Sequence, residues 1–217
     1  MRGAIPRRRT DRRAFGATPV SREVLARLGA AARAEGADLH PLRSAEVPVL
    51  AAAAAEAART ERADPAYRAA LAEWTGRPAG SGDGVPAYTA VPAGSRPVPI
   101  RDFTTPGDPG LAAGPGHDEG TAYVILHGVT DTEQAWLRGG EALSAVLLTA
   151  VLEGPAVAPM SDVFEVDEPR RLVQGLLPGG VAYLVLRIGV PAADEAPPSS
   201  PRRRPEAVIE LPDPGDG

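Results

Sequence analysis

The sequence of 217 residues contains no cysteine, no lysine and no asparagine. Without cysteine, disulfides, thiolate metal sites and a cysteine nucleophile are excluded. Without lysine, a phosphate loop of the G-x-x-x-x-G-K type is excluded, and all 23 basic residues are arginine. The only histidines are His40, His117 and His127, which are too scattered to form a ligand cluster. We therefore predict no metal site.

Aromatic residues are scarce as well, at 4%, although 43% of the chain is hydrophobic. The core must be built from alanine, leucine and valine, and a fully disordered chain is excluded. A formal net charge of −5 leaves no overall basic field, so we expect neither nucleic acid nor a membrane as partner. The N-terminus is charged from the outset, and no apolar run approaches the roughly 20 residues that span a bilayer. These features favour a cytoplasmic protein.

Hydrophobic periodicity predicts an α+β domain. Apolar residues at helical spacing predict helices over 22–35, from a start between 44 and 47 through 58, over 66–74, over 131–153 and over 168–177. Two continuous apolar runs, 121–128 and 181–188, predict strands that are covered on both faces. We expect both strands in one central antiparallel or mixed sheet, with the long helix 131–153 packed against it. Residues 207–209 could form a terminal strand or one helical turn.

Residues 76–120 interrupt this pattern with 10 glycines and 8 prolines in 45 positions. No helix of normal length fits between them. The segment is either a disordered linker or a long excursion pinned at 85–88 and 100–103, and we favour the excursion. We predict a single domain over 1–217, with this excursion and an extended C-terminal tail from residue 190.

The placement of arginine carries the functional signal. Five arginines lie within residues 7–13, and three follow one another at 202–204. A guanidinium offers a planar fork to phosphate oxygens, and alternate residues of an extended segment point the same way. Arg8, Thr10 and Arg12 can therefore converge on one anion. From composition alone, a solvated basic tail is the alternative.

Six stretches that together cover nearly the whole chain have the residues of a known family. They are AIPRRRTDRRAF at 4–15, DPAYRAALAEWTGR at 64–77, DGVPAY at 83–88, RDF at 101–103, WLRGGEALSAVLLTAVLEG at 136–154 and PRRRPEAVIEL at 201–211. In this order, they resemble the nitroreductase family, and more narrowly its Acg-type FMN-binding branch. The resemblance implies an α+β nitroreductase fold that binds FMN without covalent attachment.

The resemblance also implies which residues hold the cofactor. In the family, the first basic segment and a basic pair near the C-terminus grip the FMN phosphate. The corresponding residues are Arg8, Thr10 and Arg12, with two of Arg202, Arg203 and Arg204, and which two is open. The loop before a short helix supplies backbone N–H groups to the flavin N5 edge, and Met160 and Ser161 occupy that place.

The function implied is an FMN-dependent oxidoreductase that passes electrons from NAD(P)H to an aromatic nitro or quinone-type acceptor. The chemistry belongs to the flavin, so no catalytic side chain is expected. Related nitroreductases dimerise around a helix like 131–153, which implies a homodimer, or pairing with a missing N-terminal half.

One stretch of typical nitroreductases has no counterpart in this sequence. The pattern Ser-x-x-Asn-x-Gln-Pro-Trp hydrogen-bonds the isoalloxazine ring, and the chain contains no asparagine. In the Acg-type branch this stretch lies in an N-terminal half, and we expect the chain to begin just after it. The alternative is therefore a flavin-sequestering or degenerate FMN-binding protein without turnover.

Overall fold

A computed structural model describes residues 2–75, 77–78, 80–92, 96–104 and 110–209. Within these ranges the α-helices are α1 Arg22–Ala34, α2 Val47–Ala63, α3 Pro65–Thr75, α4 Glu133–Glu153, α5 Asp162–Glu165 and α6 Asp167–Gln174. The strands are β1 Asp38–Pro41, β2 Ala122–Gly128, β3 Ala156–Met160 and β4 Val181–Gly189. Short 3₁₀ helices lie at Arg2–Arg7, Ala87–Thr89 and Pro205–Ala207, so the chain near 207 forms a helical turn and not a strand.

The four strands form one antiparallel sheet in the order β1-β2-β4-β3. The two apolar runs form the central strands, and Val124 lies opposite Leu186 in their register. The α+β prediction is therefore confirmed. The sequence analysis did not predict β3, because the strand is short and contains Pro159. A proline is tolerated there because β3 lies at the edge of the sheet, where a ladder N–H can be missing.

Helices cover both faces of the sheet. On one face, Val124 and Leu186 pack in a core cluster with residues of α1 and α4. On the other face, Ile125 and Val185 pack with residues of α2 and α6. Successive side chains of a strand point to opposite faces, and here both faces are buried. This arrangement explains why β2 and β4 are continuous apolar runs.

Local chemistry sets the ends of α1 and α4. The Ser21 hydroxyl accepts a hydrogen bond from the Val24 backbone N–H at 3.2 Å and caps α1. Thr132 caps α4 in the same way, through the Ala135 N–H at 3.3 Å. At the other end of α4, Gly154 adopts a φ of 102°, in the left-handed region that favours glycine.

The excursion at 76–120 contacts the domain, but its buried residues are not all at the two places that the sequence predicted. Val91 and Val98 are buried, whereas Tyr88, in the predicted pin at 85–88, is exposed. The second predicted pin, 100–103, contributes to the candidate site described below. Residues 76, 79, 93–95 and 105–109 of the excursion, and 210–217 of the tail, lie outside the described residues. The division into one domain with an excursion and a tail stays a prediction.

Three large apolar side chains of α4 are exposed. Trp136, Leu137 and Leu152 are each more than half exposed. By length and composition alone, α4 could cross a membrane, with a mean hydropathy of 1.3 over its most apolar 18 residues. The sequence contains no uninterrupted apolar run at this place, because Arg138 and Glu141 lie within α4. Core helices of soluble proteins pass the same test, so this feature does not by itself assign a membrane location.

Candidate functional site

The N-terminal basic segment runs past the edge strand β3. The Asp11 backbone N–H donates to the Val157 carbonyl at 3.2 Å, and the Gly16 N–H donates to the Val190 carbonyl at 2.9 Å. Residues 8–12 belong to no helix or strand. Successive side chains along the segment lie on different sides, as expected for an extended chain.

On one side of the segment, Thr10 and Arg12 line a cavity of about 220 Å³. Its other walls come from 100–103 of the excursion and from 158–162, where β3 leads into α5. Four of the predicted site residues, Thr10, Arg12, Met160 and Ser161, therefore share one cavity. Their role in binding a cofactor stays a prediction.

Arg12 is a half-buried cation without an acidic partner. Its guanidinium lies 4.5 Å from the centroid of the Phe103 ring. Across the ranges that the structure describes, no carboxylate forms an ion pair with it. Burial, with a contribution from the positive charge of Arg101, lowers the pKa of Arg12. A desolvated cation in this state favours a bound anion.

One acid, Asp162, also lines the cavity, and two further acids pair with the lining residue Arg101. Asp162 is buried, and this burial raises the pKa of its carboxyl, although the nearby Arg101 acts in the opposite direction. Arg101 itself forms ion pairs with Glu61 and Glu165, both at 2.8 Å. The only sequence signal was the RDF stretch at 101–103. An acid at a helix start is normally a solvated group that complements the helix dipole, so the burial of Asp162 was not evident.

Arg8 is influenced by the charge of one C-terminal arginine, Arg202. Burial lowers the pKa of Arg8, and the positive charges of Arg202 and Arg9 lower it further. Arg202 is exposed and donates to the Pro201 carbonyl at 2.9 Å. Within the described residues, neither Arg8 nor Arg202 pairs with a carboxylate. The fold therefore brings together two cations that are 194 positions apart (202 − 8).

The other two C-terminal arginines differ from each other. The Arg203 Nε donates to Asp83 Oδ2 at 2.9 Å and thereby lowers the pKa of Asp83. Arg204 is exposed and precedes the 3₁₀ helix Pro205–Ala207, and no described carboxylate pairs with it. Of the three candidates, Arg203 alone is therefore neutralised by an acid within the described residues.

The other side of the N-terminal segment contains one buried ion pair. Arg13 donates to both carboxylate oxygens of Asp11, from Nη2 at 2.7 Å and from Nε at 3.0 Å. Both residues are buried. Arg7, Arg9, Asp11 and Arg13 line a second cavity, of about 450 Å³, at the C-terminal end of α4. Thr10 and Arg12 thus line one cavity and the odd-numbered residues another, whereas Arg8, which was predicted to converge with Thr10 and Arg12, lines neither. In the described residues, no group of three or more histidine or acidic side chains could hold a metal ion.

Comparison with known proteins identifies relatives of the chain. It is 36% identical over 217 residues to "Putative NAD(P)H nitroreductase Rv3131" of Mycobacterium tuberculosis strain H37Rv, covering 98% of this chain and 62% of that protein. It is 32% identical over 213 residues to "Putative NAD(P)H nitroreductase acg" of the same strain, covering 96% and 63%. The chain is a relative of the Acg-type nitroreductases. It spans about three fifths of the length of these relatives. No family model matches the chain.

Solved structures agree on a nitroreductase fold. The FMN- and NADPH-dependent nitroreductase NfnB from Sphigopyxis sp. strain HMH superposes with a TM-score of 0.60 at 20% identity, covering 97% of this chain and 98% of that one. A nitroreductase with bound FMN from Bacteroides fragilis NCTC 9343 gives a TM-score of 0.55 at 14% identity, covering 97% of each chain. At such identities the likeness shows the fold alone. This Acg-type relative therefore has the α+β nitroreductase fold.

Proposed function

We propose that the chain is an FMN-binding NAD(P)H oxidoreductase of the nitroreductase type that works in the cytoplasm. The observation that carries the proposal is Arg12, a desolvated arginine that forms no ion pair within the described residues and lines one cavity with Thr10, Met160 and Ser161. The positive charge of Arg202 acts on Arg8, which lies two residues before Thr10. The fold is one in which solved relatives bind FMN, which makes FMN the best-supported anion.

The phosphate is proposed to bind between the two ends of the chain. Arg8 and Arg12 would donate charge-assisted hydrogen bonds and Thr10 a hydroxyl hydrogen bond. From the tail, Arg202 and Arg204 are the better candidates, because Arg203 already pairs with Asp83. A bound phosphate dianion would relieve the repulsion between Arg8 and Arg202.

The ring end of the cofactor is proposed to lie against Met160 and Ser161, with backbone N–H groups facing the flavin N5 edge. When bound, FMN supplies the hydride-transfer chemistry. The surrounding side chains would orient the ring and exclude water, and none of them needs to act as a catalyst.

The described chain supplies only part of such a site. A cavity of about 220 Å³ is smaller than the roughly 300–1,000 Å³ of typical small-molecule pockets. We propose that the rest comes from a second copy in a homodimer, or from an N-terminal half. The exposed Trp136 and Leu137 of α4 offer an apolar surface for the dimer.

An aromatic nitro or quinone-type compound is the proposed electron acceptor. A neighbouring cavity of about 410 Å³ shares Arg101 and Phe103 with the first cavity. Tyr67, Leu71 and Trp74 of α3 form the rest of its apolar lining. Stacking between aromatic rings contributes about 0.5–1.5 kcal/mol beyond area burial, so this lining suits a flat aromatic molecule.

The proposal is tested by titrating the purified, flavin-free chain with FMN and with riboflavin. FMN should bind more tightly, because only FMN carries a phosphate. Anaerobic addition of NADH or NADPH should then bleach the bound flavin, and an aromatic acceptor should restore its colour. Equal affinities for the two flavins would contradict the phosphate site. Tight FMN binding without bleaching would favour the flavin-sequestering alternative.

A further inference from the structure

Arg187 is a charged residue in the central strand β4, where its neighbours are apolar. Its side chain is fully buried. Moving a guanidinium out of water costs several kcal/mol, and this cost is recovered only if the group is well paired. Arg187 lies in the apolar run 181–188, and the sequence alone indicated no role for it. Its contacts therefore require an explanation.

The Arg187 guanidinium binds the backbone of the N-terminal basic segment. Its Nη2 donates to the carbonyl oxygens of Asp11 and Arg13, both at 2.8 Å. The guanidinium also lies 4.0 Å from the centroid of the Phe15 ring. In an extended segment, the carbonyls of residues two apart point the same way. One side chain thus holds two consecutive carbonyls on one edge of the segment.

Asp118 completes the attachment. Its Oδ1 accepts from the Arg187 Nη1 at 2.6 Å and from the Phe15 backbone N–H at 2.7 Å. Its other oxygen lies 3.6 Å from the guanidinium of Arg96, a second buried cation. Direct or acid-bridged contacts to Arg187 therefore secure the segment at residues 11, 13 and 15.

Only arginine can make this set of contacts. A lysine has a single nitrogen and cannot present a planar fork to two carbonyls and a carboxylate. An apolar residue would leave those buried acceptors without donors. Burial lowers the pKa of Arg187, although Asp118 acts in the opposite direction. A group this costly to bury is better explained by specificity of geometry than by stability.

We propose that Arg187 is the positioning residue of the anion-binding segment. By holding the carbonyls of Asp11 and Arg13, it fixes the rotation of the segment about its own axis. This rotation directs Thr10 and Arg12 into the cavity and Asp11 and Arg13 to the opposite side. The inference rests on the proposed function only for the identity of the anion as the FMN phosphate.

The test is the charge-conserving substitution Arg187→Lys, with Tyr123→Phe as matched control. Tyr123 is buried opposite Arg187 in the sheet, and its hydroxyl has no hydrogen-bond partner within the described structure. Affinities for FMN and riboflavin are measured together with hydrogen exchange of the amides of residues 11–16. In Arg187→Lys, FMN affinity should fall about ten- to hundredfold, the loss of one charge-assisted contact, while riboflavin affinity changes far less. Exchange at residues 11–16 should accelerate, and Tyr123→Phe should change neither measurement.

Equal losses for FMN and riboflavin, or unchanged FMN affinity in folded Arg187→Lys, would overturn the proposal. If Arg187→Lys does not fold, Asp118→Asn replaces it. That variant keeps an acceptor oxygen but weakens the hold on Arg187, so it should show a smaller loss that is still selective for FMN. If the unmodified chain binds neither flavin, the proposed function fails, and hydrogen exchange decides the positioning role alone. Unaltered protection of residues 11–16 in Arg187→Lys would then overturn it.

Discussion

Two neighbouring arginines on different sides of the N-terminal segment are in opposite electrostatic states. Arg13 is buried against Asp11 and forms two hydrogen bonds with its carboxylate. Arg12, the preceding residue, forms no ion pair with any described acid and stacks on Phe103. A paired and buried arginine contributes to structure. A desolvated arginine without a counter-ion leaves positive charge for a ligand, which is why perturbed groups of this kind mark functional sites.

This difference shows how an acidic protein can hold an anion. The chain carries a net charge of −5, so its overall field does not attract phosphate. The attraction must arise from a few arginines, such as Arg12, that form no ion pair with the acids of the described residues. The segment achieves this by alternation, because Asp11 lies on the side of Arg13 and away from Arg12.

The paired side should respond most strongly to mutation. Asp11→Ala leaves Arg13 buried without its acid, and breaking such a pair costs about 3–5 kcal/mol of unfolding free energy. Arg12→Ala is the matched comparison and should cost less than about 1 kcal/mol, because no ion pair is lost. Urea denaturation of both variants measures the difference. Similar losses in the two variants would show that the two sides are not distinct.

Part of this arrangement was predictable from sequence, and the reason is locality. Alternation predicted Arg8, Thr10 and Arg12 on one side of the segment, and of these Thr10 and Arg12 line one cavity while Arg8 does not. The apolar runs correctly predicted β2 and β4. The partners of Arg187 were not predictable, because Asp118 lies 69 positions away and Asp11 lies 176 positions away. Long-range pairing has no periodic signature in a sequence. Edge strand β3 was missed because its proline opposes a strand locally and only its position in the sheet makes it acceptable.

Ligand binding should reverse the ranking of the two sides. Arg12→Ala, and likewise Arg8→Ala, should weaken FMN binding by about 1.5–3 kcal/mol and leave riboflavin binding nearly unchanged, because each removes a charge-assisted contact to phosphate. Arg13→Ala should alter both flavins by the same smaller amount. Titration of flavin fluorescence measures all the affinities. If Arg13→Ala proved as selective against FMN as Arg12→Ala, the assignment of phosphate binding to the even-numbered side would be wrong.

The smallest predicted effect compares two acids. Asp162 lines the cavity, whereas Asp11 is paired with Arg13 on the other side of the N-terminal segment. Burial raises the pKa of Asp162 above the value of about 3.9 that it has in an unfolded chain. Between these two pKa values the folded chain binds more protons than the unfolded chain, so the stability that Asp162 contributes is complete below pH 4 or so and is lost as the pH rises through the raised pKa. Asp162→Asn is uncharged at every pH and removes this dependence. As the pH rises from about 4, the unfolding free energy of Asp162→Asn should therefore increase relative to that of the unmodified chain. The increase should be about 1.4 kcal/mol for each pH unit by which folding raises the pKa of Asp162. Urea denaturation across that pH range measures the increase in unfolding free energy, since all other titrating groups are common to both chains. A difference between the two unfolding free energies that stays constant with pH would mean that the cavity does not desolvate Asp162.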